Sequence, residues 1–153
     1  MSQTKTQDDS FMSEALNEAR KALDKLEIPV GAVIVKDGEI IARGHNNKES
    51  LNDPTSHAEI MAIREAASKL GTWRLSDCSM YVTLEPCAMC AGAIIQARIK
   101  EVYFGTPDLK TGAAGSVVDL LKVKLFNHKV VVNEGILRDE CSNILSEFFK
   151  KLR

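Results

Sequence analysis

Residues 80–97 read MYVTLEPCAMCAGAIIQA, and the period of the sequence changes partway through them. Met80 to Leu84 has the β-branched and aromatic character of a buried strand. Pro86 then suits a first helical turn, where its missing N–H costs nothing, and the apolar residues up to Ala97 continue a helix. Glu101 to Gly105 (EVYFG) returns to strand character. Two strands joined by a helix of this length imply a crossover and parallel pairing. The stretch therefore places the chain in the α/β class.

The same alternation extends outward in both directions. Upstream, Phe11, Ala15, Leu16, Ala19, Ala22, Leu23 and Leu26 fall at helical spacing behind a Ser10 N-cap. Pro29 ends that helix, and Val30 to Val35 reads as a strand. Asp37-Gly38 is a hairpin turn signal that sends Glu39 to Gly44 back as a second strand. Asp53-Pro54-Thr55 leads into a helix over His57 to Leu70, closed by Gly71. Downstream come a Gly-containing loop from Thr106 to Gly115 and a short helical piece over Val117 to Leu121. A strand at Val130 to Val132 and an amphipathic helix from Ile136 to Leu152 complete the chain. The expected architecture is a three-layer α/β/α fold: a mixed five-stranded sheet with helices on both faces. It forms one domain over residues 1–153, with 1–9 expected as a disordered extension.

Composition excludes several classes. Of 153 residues, 44% are hydrophobic and 27% charged, which is a globular balance and not that of a disordered chain. The longest apolar run, Ile28 to Val35, is broken by Pro29 and Gly31, so no membrane helix is expected. The polar first ten residues carry no export signal, which makes the cytoplasm the expected compartment. Net charge is −1, with 7 basic and 11 acidic residues in 1–60 but 13 and 10 in 61–153. A basic end at Lys150, Lys151 and Arg153 permits a phosphate-bearing partner without requiring one.

Three residues have the chemistry of metal ligands. Cys87 and Cys90 are three apart at a helix start, so both thiols lie on one face. His57 opens another helix after a neighbouring strand. Two thiolates and an imidazole select zinc over magnesium or calcium. Alone, the Cys-x-x-Cys pair also fits a redox motif or a structural zinc. Three ligands leave a coordination position for water, whereas a structural zinc is closed by four. Zinc lowers the pKa of water to about 7, and Glu59, two residues after His57, is placed to accept a proton. These residues describe a hydrolytic site. Cys78 and Cys141 read as buried small hydrophobes, and His45 and His128 as strand-end or loop residues. Recruitment of any of those four to the metal would make the site structural.

His57-Ala58-Glu59 followed by Pro86-Cys87-Ala88-Met89-Cys90 resembles the H-x-E…P-C-x-x-C pattern of the zinc-dependent cytidine and adenine deaminase superfamily. The segments Pro29 to Val33, Asp53 to Ile60, Tyr81 to Cys87 and Lys110 to Ser116 narrow the likeness to the bacterial tRNA-specific adenosine deaminase family, over Phe11 to Arg153. The resemblance implies a cytidine deaminase-like fold and hydrolysis of the wobble adenosine of a tRNA anticodon loop to inosine, with release of ammonia. In that scheme zinc-bound hydroxide attacks, Glu59 shuttles protons, and backbone N–H groups from Leu84 to Cys87 hold the zinc-bound oxygen. It further implies that Asn46 hydrogen-bonds the base and Val30 packs on its face. Asp108 would lie near a ribose hydroxyl, Lys110 near phosphate, and Phe149 with the basic end against the anticodon stem-loop. A homodimer is also implied.

Two other readings use the same residues. Free cytosine, guanine or a nucleoside is open to the same chemistry, although such an enzyme needs neither Asp108 to Ser116 nor a basic aromatic end. A zinc-stapled binding module without catalysis requires a fourth protein ligand and no water.

Overall fold

The Asp37-Gly38 turn sets the first pairing. Both residues have positive φ, 51° and 77°, the backbone that a tight hairpin requires and that glycine adopts without strain. It joins β1 (Gly31–Lys36) to β2 (Glu39–His45) in antiparallel register, with an irregularity between Ile34 and Val35. In this computed structural model, which describes residues 2–124, 126 and 128–152, three further strands complete one sheet. They are β3 (Cys78–Leu84), β4 (Glu101–Thr106) and β5 (Val131–Glu134), in the order β2-β1-β3-β4-β5. β3 runs antiparallel to β1, while β3, β4 and β5 are mutually parallel.

Alternation along the strands divides the core in two. Ala32, Ile34, Met80, Val82, Val102 and Phe104 point to one face, beneath α2 (Ala58–Leu70) and α3 (Ala88–Ala97). Val33, Val35, Tyr81 and Tyr103 point to the other, beneath α1 (Ser2–Asp24) and α4 (Arg138–Lys151). The three-layer expectation therefore holds. Gly44 lets α2 lie close to the sheet: a Cβ there would strike the Ala58 carbonyl and stand 2.7 Å from the Ala62 nitrogen.

Several boundaries differ from the sequence reading. α1 begins at Ser2 instead of at a Ser10 cap, so the expected disordered extension is helical from Ser2 onward. Extending an existing helix adds one hydrogen bond per residue fixed and needs no new nucleus. Asp8 also anchors this part by accepting a 2.5 Å bond from the Tyr81 hydroxyl. The piece expected at 117–121 is a 3-10 turn at Leu120–Lys122. α2 and α3 each start one or two residues late, leaving His57 and Cys87 as N-caps.

Candidate active site

The N-termini of α2 and α3 meet at the end of the sheet where the C-termini of β2 and β3 lie. His57 and Cys87 both have extended backbone, and neither side chain caps its helix. Both side chains are thus free to point at each other. His57 Nδ1 lies 3.6 Å from Cys87 Sγ and 3.5 Å from Cys90 Sγ. Tetrahedral geometry at zinc, with Zn–N near 2.05 Å and Zn–S near 2.3 Å, requires a nitrogen-to-sulfur separation of about 3.6 Å. The donor set fits that ion. Among the described residues the metal-ligating group has these three members and no fourth.

Electrostatics prepares the thiols. Cys87 is pulled down to about 4, first by the hydrogen bond from Cys90 and then by that from His57. It is therefore a thiolate at neutral pH, the form that binds metal. Cys90, buried and hydrogen-bonded to Cys87, is shifted upward. Helix N-termini add favourable partial charge for both sulfurs. Glu59 stands in the first turn of α2 and is only 4% exposed. Burial is the main cause that pushes its carboxyl up to about 7.

A cavity of ≈ 630 Å³ opens over the group, with His57, Glu59 and Cys87 in its wall. Val30, Asn46, Asp108 and Phe149 line it too, so four of the five expected substrate contacts come together here. Lys110 does not line it. The side chain of Asn46 is already engaged. Its oxygen accepts from the Ala58 N–H at 2.9 Å, and its amide donates to the Ile28 carbonyl at 3.0 Å. Asn46 therefore fixes the start of α2 as well as facing the cavity. The Asp108 carboxylate accepts from the backbone N–H groups of Lys110 and Thr111 and from the Thr111 hydroxyl. Phe149 is half-exposed beside buried Phe148. Lys151 pairs with Glu147 at 3.7 Å, and Arg153 lies outside the described residues.

The other candidates are occupied elsewhere. Cys78 and Cys141 are buried and free, as expected of small hydrophobes. His45 bonds Glu18 and Lys25, and His128 bonds the Ile99 carbonyl at 2.6 Å. The expected row of backbone donors from Leu84 to Cys87 is reduced, because the Glu85 N–H is committed to the Thr106 carbonyl and Pro86 has none.

Two wall residues gave no signal in the sequence. Glu27 is 2% exposed and accepts from the Glu49 and Ser50 N–H groups and the Ser50 hydroxyl. Glu85, also 2% exposed, holds the loop that follows β4. Both partner sets lie more than twenty residues away, where no local pattern marks them.

A His/Cys/Cys group at two helix starts of an α/β/α fold, with a buried carboxylate beside it, is the arrangement of a metal-assisted hydrolytic site. The family model described as MafB19-like deaminase matches residues 6–153. A tRNA-specific adenosine deaminase of Bacillus subtilis (strain 168) is 50% identical over 148 residues, covering 97% of this chain and 92% of that protein. A structure from studies of A-to-I editing by tRNA:A34 deaminases superimposes with a TM-score of 0.86 at 47% identity, over 88% of this chain and 98% of the other. A guanine deaminase from Bacillus subtilis is more distant, with a TM-score of 0.62 at 38% identity, over 76% and 85% of the two chains. The chain belongs to the MafB19-like deaminase family, among the tRNA-specific adenosine deaminases.

Proposed function

We propose that the protein hydrolyses the wobble adenosine of a tRNA anticodon loop to inosine and ammonia, with one zinc ion held by His57, Cys87 and Cys90. The observation that carries this is a group of three donors, with no fourth among the described residues, two of which, His57 and Cys87, line a cavity together with buried Glu59. When bound, zinc supplies Lewis acidity, which brings the pKa of water to about 7. Glu59 then performs the proton transfers. It takes one proton from the attacking water and delivers it to purine N1 as the water oxygen bonds to C6. It carries the second proton to the exocyclic nitrogen as the C6–N bond breaks. Ammonia leaves, inosine keeps the C6 carbonyl and the N1 proton, and Glu59 is regenerated. Desolvation raises the proton affinity of the buried Glu59 carboxyl above that of a solvated one, which suits it to taking protons as well as giving them.

Val30 and Asn46 lie where a base would rest, and Asp108 and Phe149 where flanking nucleotides would pass. Lys110 would meet phosphate, and the basic end at Lys150 and Lys151 would meet the anticodon loop on its outer side. An anticodon loop offers an unstacked base, so little energy is spent in exposing it. The homodimer and the cytoplasm, where tRNA is held, belong to the same reading; among the described residues no helix is long and apolar enough to cross a membrane. The likeness to a guanine deaminase supports a second reading, a free purine as substrate.

Inosine formation on an anticodon stem-loop, run beside free adenine and guanine, separates the two. Turnover confined to free bases would reject the first reading. Glu59→Ala should lose about 10²- to 10⁴-fold in kcat while zinc content stays at one per chain. Loss of zinc instead would make Glu59 a ligand and refute the proton-transfer role.

A further inference from the structure

The loop after β4 is wrapped around one carboxylate. Glu85 Oε1 accepts from the Asp108 N–H at 3.0 Å and from the Ser116 hydroxyl. Its Oε2 accepts from the N–H groups of Ala114 at 2.9 Å and Ser116 at 3.0 Å. Gly112 completes the enclosure: a Cβ there would run into the Glu85 carboxylate and stand 2.5 Å from the Asp108 carbonyl. The Ala113 N–H reaches the Pro86 carbonyl at 2.8 Å. Two residues next to the Cys87 ligand thus hold both ends of a loop that lines the cavity through Asp108 and Thr111. A fully buried charge with four donors is not needed merely to end a strand, since an apolar residue there would avoid the desolvation cost.

We propose that Glu85 is a positioning residue that locks the substrate-facing segment Asp108–Ser116 to the turn bearing Cys87, so that the wall for the flanking nucleotides is set in register with the reacting centre. The inference rests on the proposed reaction for its substrate, but its geometry does not depend on which purine is turned over.

Glu85→Gln is the discriminating variant. With its amide nitrogen in the Oε1 place, the side chain still accepts from Ala114 and Ser116 through oxygen, and the Ser116 hydroxyl can reverse to accept. Only the Asp108 N–H loses its acceptor. The zinc-loaded variant should keep one zinc per chain and its kcat on the stem-loop, while KM rises about tenfold to a hundredfold, the scale for losing a charged hydrogen bond. Amide hydrogen exchange should quicken at Asp108 to Thr111 and stay unchanged in β1 and β3. Gly112→Ala, which displaces the carboxylate from the other side, should raise KM in the same sense. Unchanged KM and exchange in Glu85→Gln would overturn the proposal, as would a fall in kcat alone or a loss of zinc. If the wild-type protein turned over only free bases, the proposed reaction would fail, whereas the exchange measurement would still decide whether Glu85 holds the loop.

Discussion

Gly44→Ala should act on the metal centre from a distance. Gly44 lies on β2 directly beneath the first turns of α2, the helix that begins at His57 and carries Glu59. An added Cβ would stand 2.7 Å from the Ala62 nitrogen and 2.9 Å from Met61 Cβ, where ordinary contact begins at 3.4 Å. It would also strike the Ala58 carbonyl, the tightest of the three contacts, so α2 must retreat by about 1 Å. Overpacking of this kind costs about 1–3 kcal/mol, which lowers Tm by roughly 3 to 10 °C in a chain of this size. His57 moves with α2, while Cys87 and Cys90 stay with α3. Ligand distances tolerate only about 0.2 Å, so zinc affinity should fall about tenfold to a hundredfold, the range seen when ligand orientation is disturbed. Gly31→Ala is the control. Its Cβ would collide with the backbone of Ala15 and stand 2.5 Å from the Ala19 nitrogen of α1, a helix that bears no ligand. Thermal denaturation and chelator competition for zinc, run on both variants, should show similar losses of Tm but a loss of zinc affinity only in Gly44→Ala. Equal zinc affinities in the two variants would refute the reasoning.

Gly92 lies inside α3 with open space where a Cβ would go, so Gly92→Ala should stabilise by about 0.5–1 kcal/mol, read as a rise in Tm. Zinc affinity should weaken as pH falls. Cys90 must release a proton to bind, and so must His57 below its pKa, which is raised above 6.5 chiefly by its hydrogen bond with Cys87. The loss should be about tenfold per pH unit above the His57 pKa and about a hundredfold below it, measured by chelator competition between pH 6 and 8.5; a flat profile would contradict this ligand set. Lys110→Ala and Lys151→Ala should each weaken binding of an anticodon stem-loop and lower the salt slope by about 1, with zinc content unchanged. Titrations across a range of potassium chloride concentrations check this, and unaltered slopes in both variants would remove these lysines from the interface.

The sequence by itself determined whatever is local. Alternation over Met80–Leu84, the helical period after Pro86 and the Asp37-Gly38 turn specify elements through neighbours a few residues apart, so the three-layer class was readable. That His57, Cys87 and Cys90 come together as a group able to hold a metal was readable for a related reason: few residue types bind zinc, and their spacing at helix starts leaves few alternatives. Only the tertiary structure decided the rest. It extended α1 back to Ser2 through Asp8 and Tyr81, which are far apart in the chain. It gave Asn46 to the Ala58 N–H, turned the Asp108 carboxylate onto its own loop, and buried Glu85 among donors that come 23 to 31 residues later. A charged or amide side chain looks the same in sequence whether it is solvated or enclosed. Its partners are whichever donors the fold brings within about 3 Å, and that proximity comes from packing the sheet and helices together.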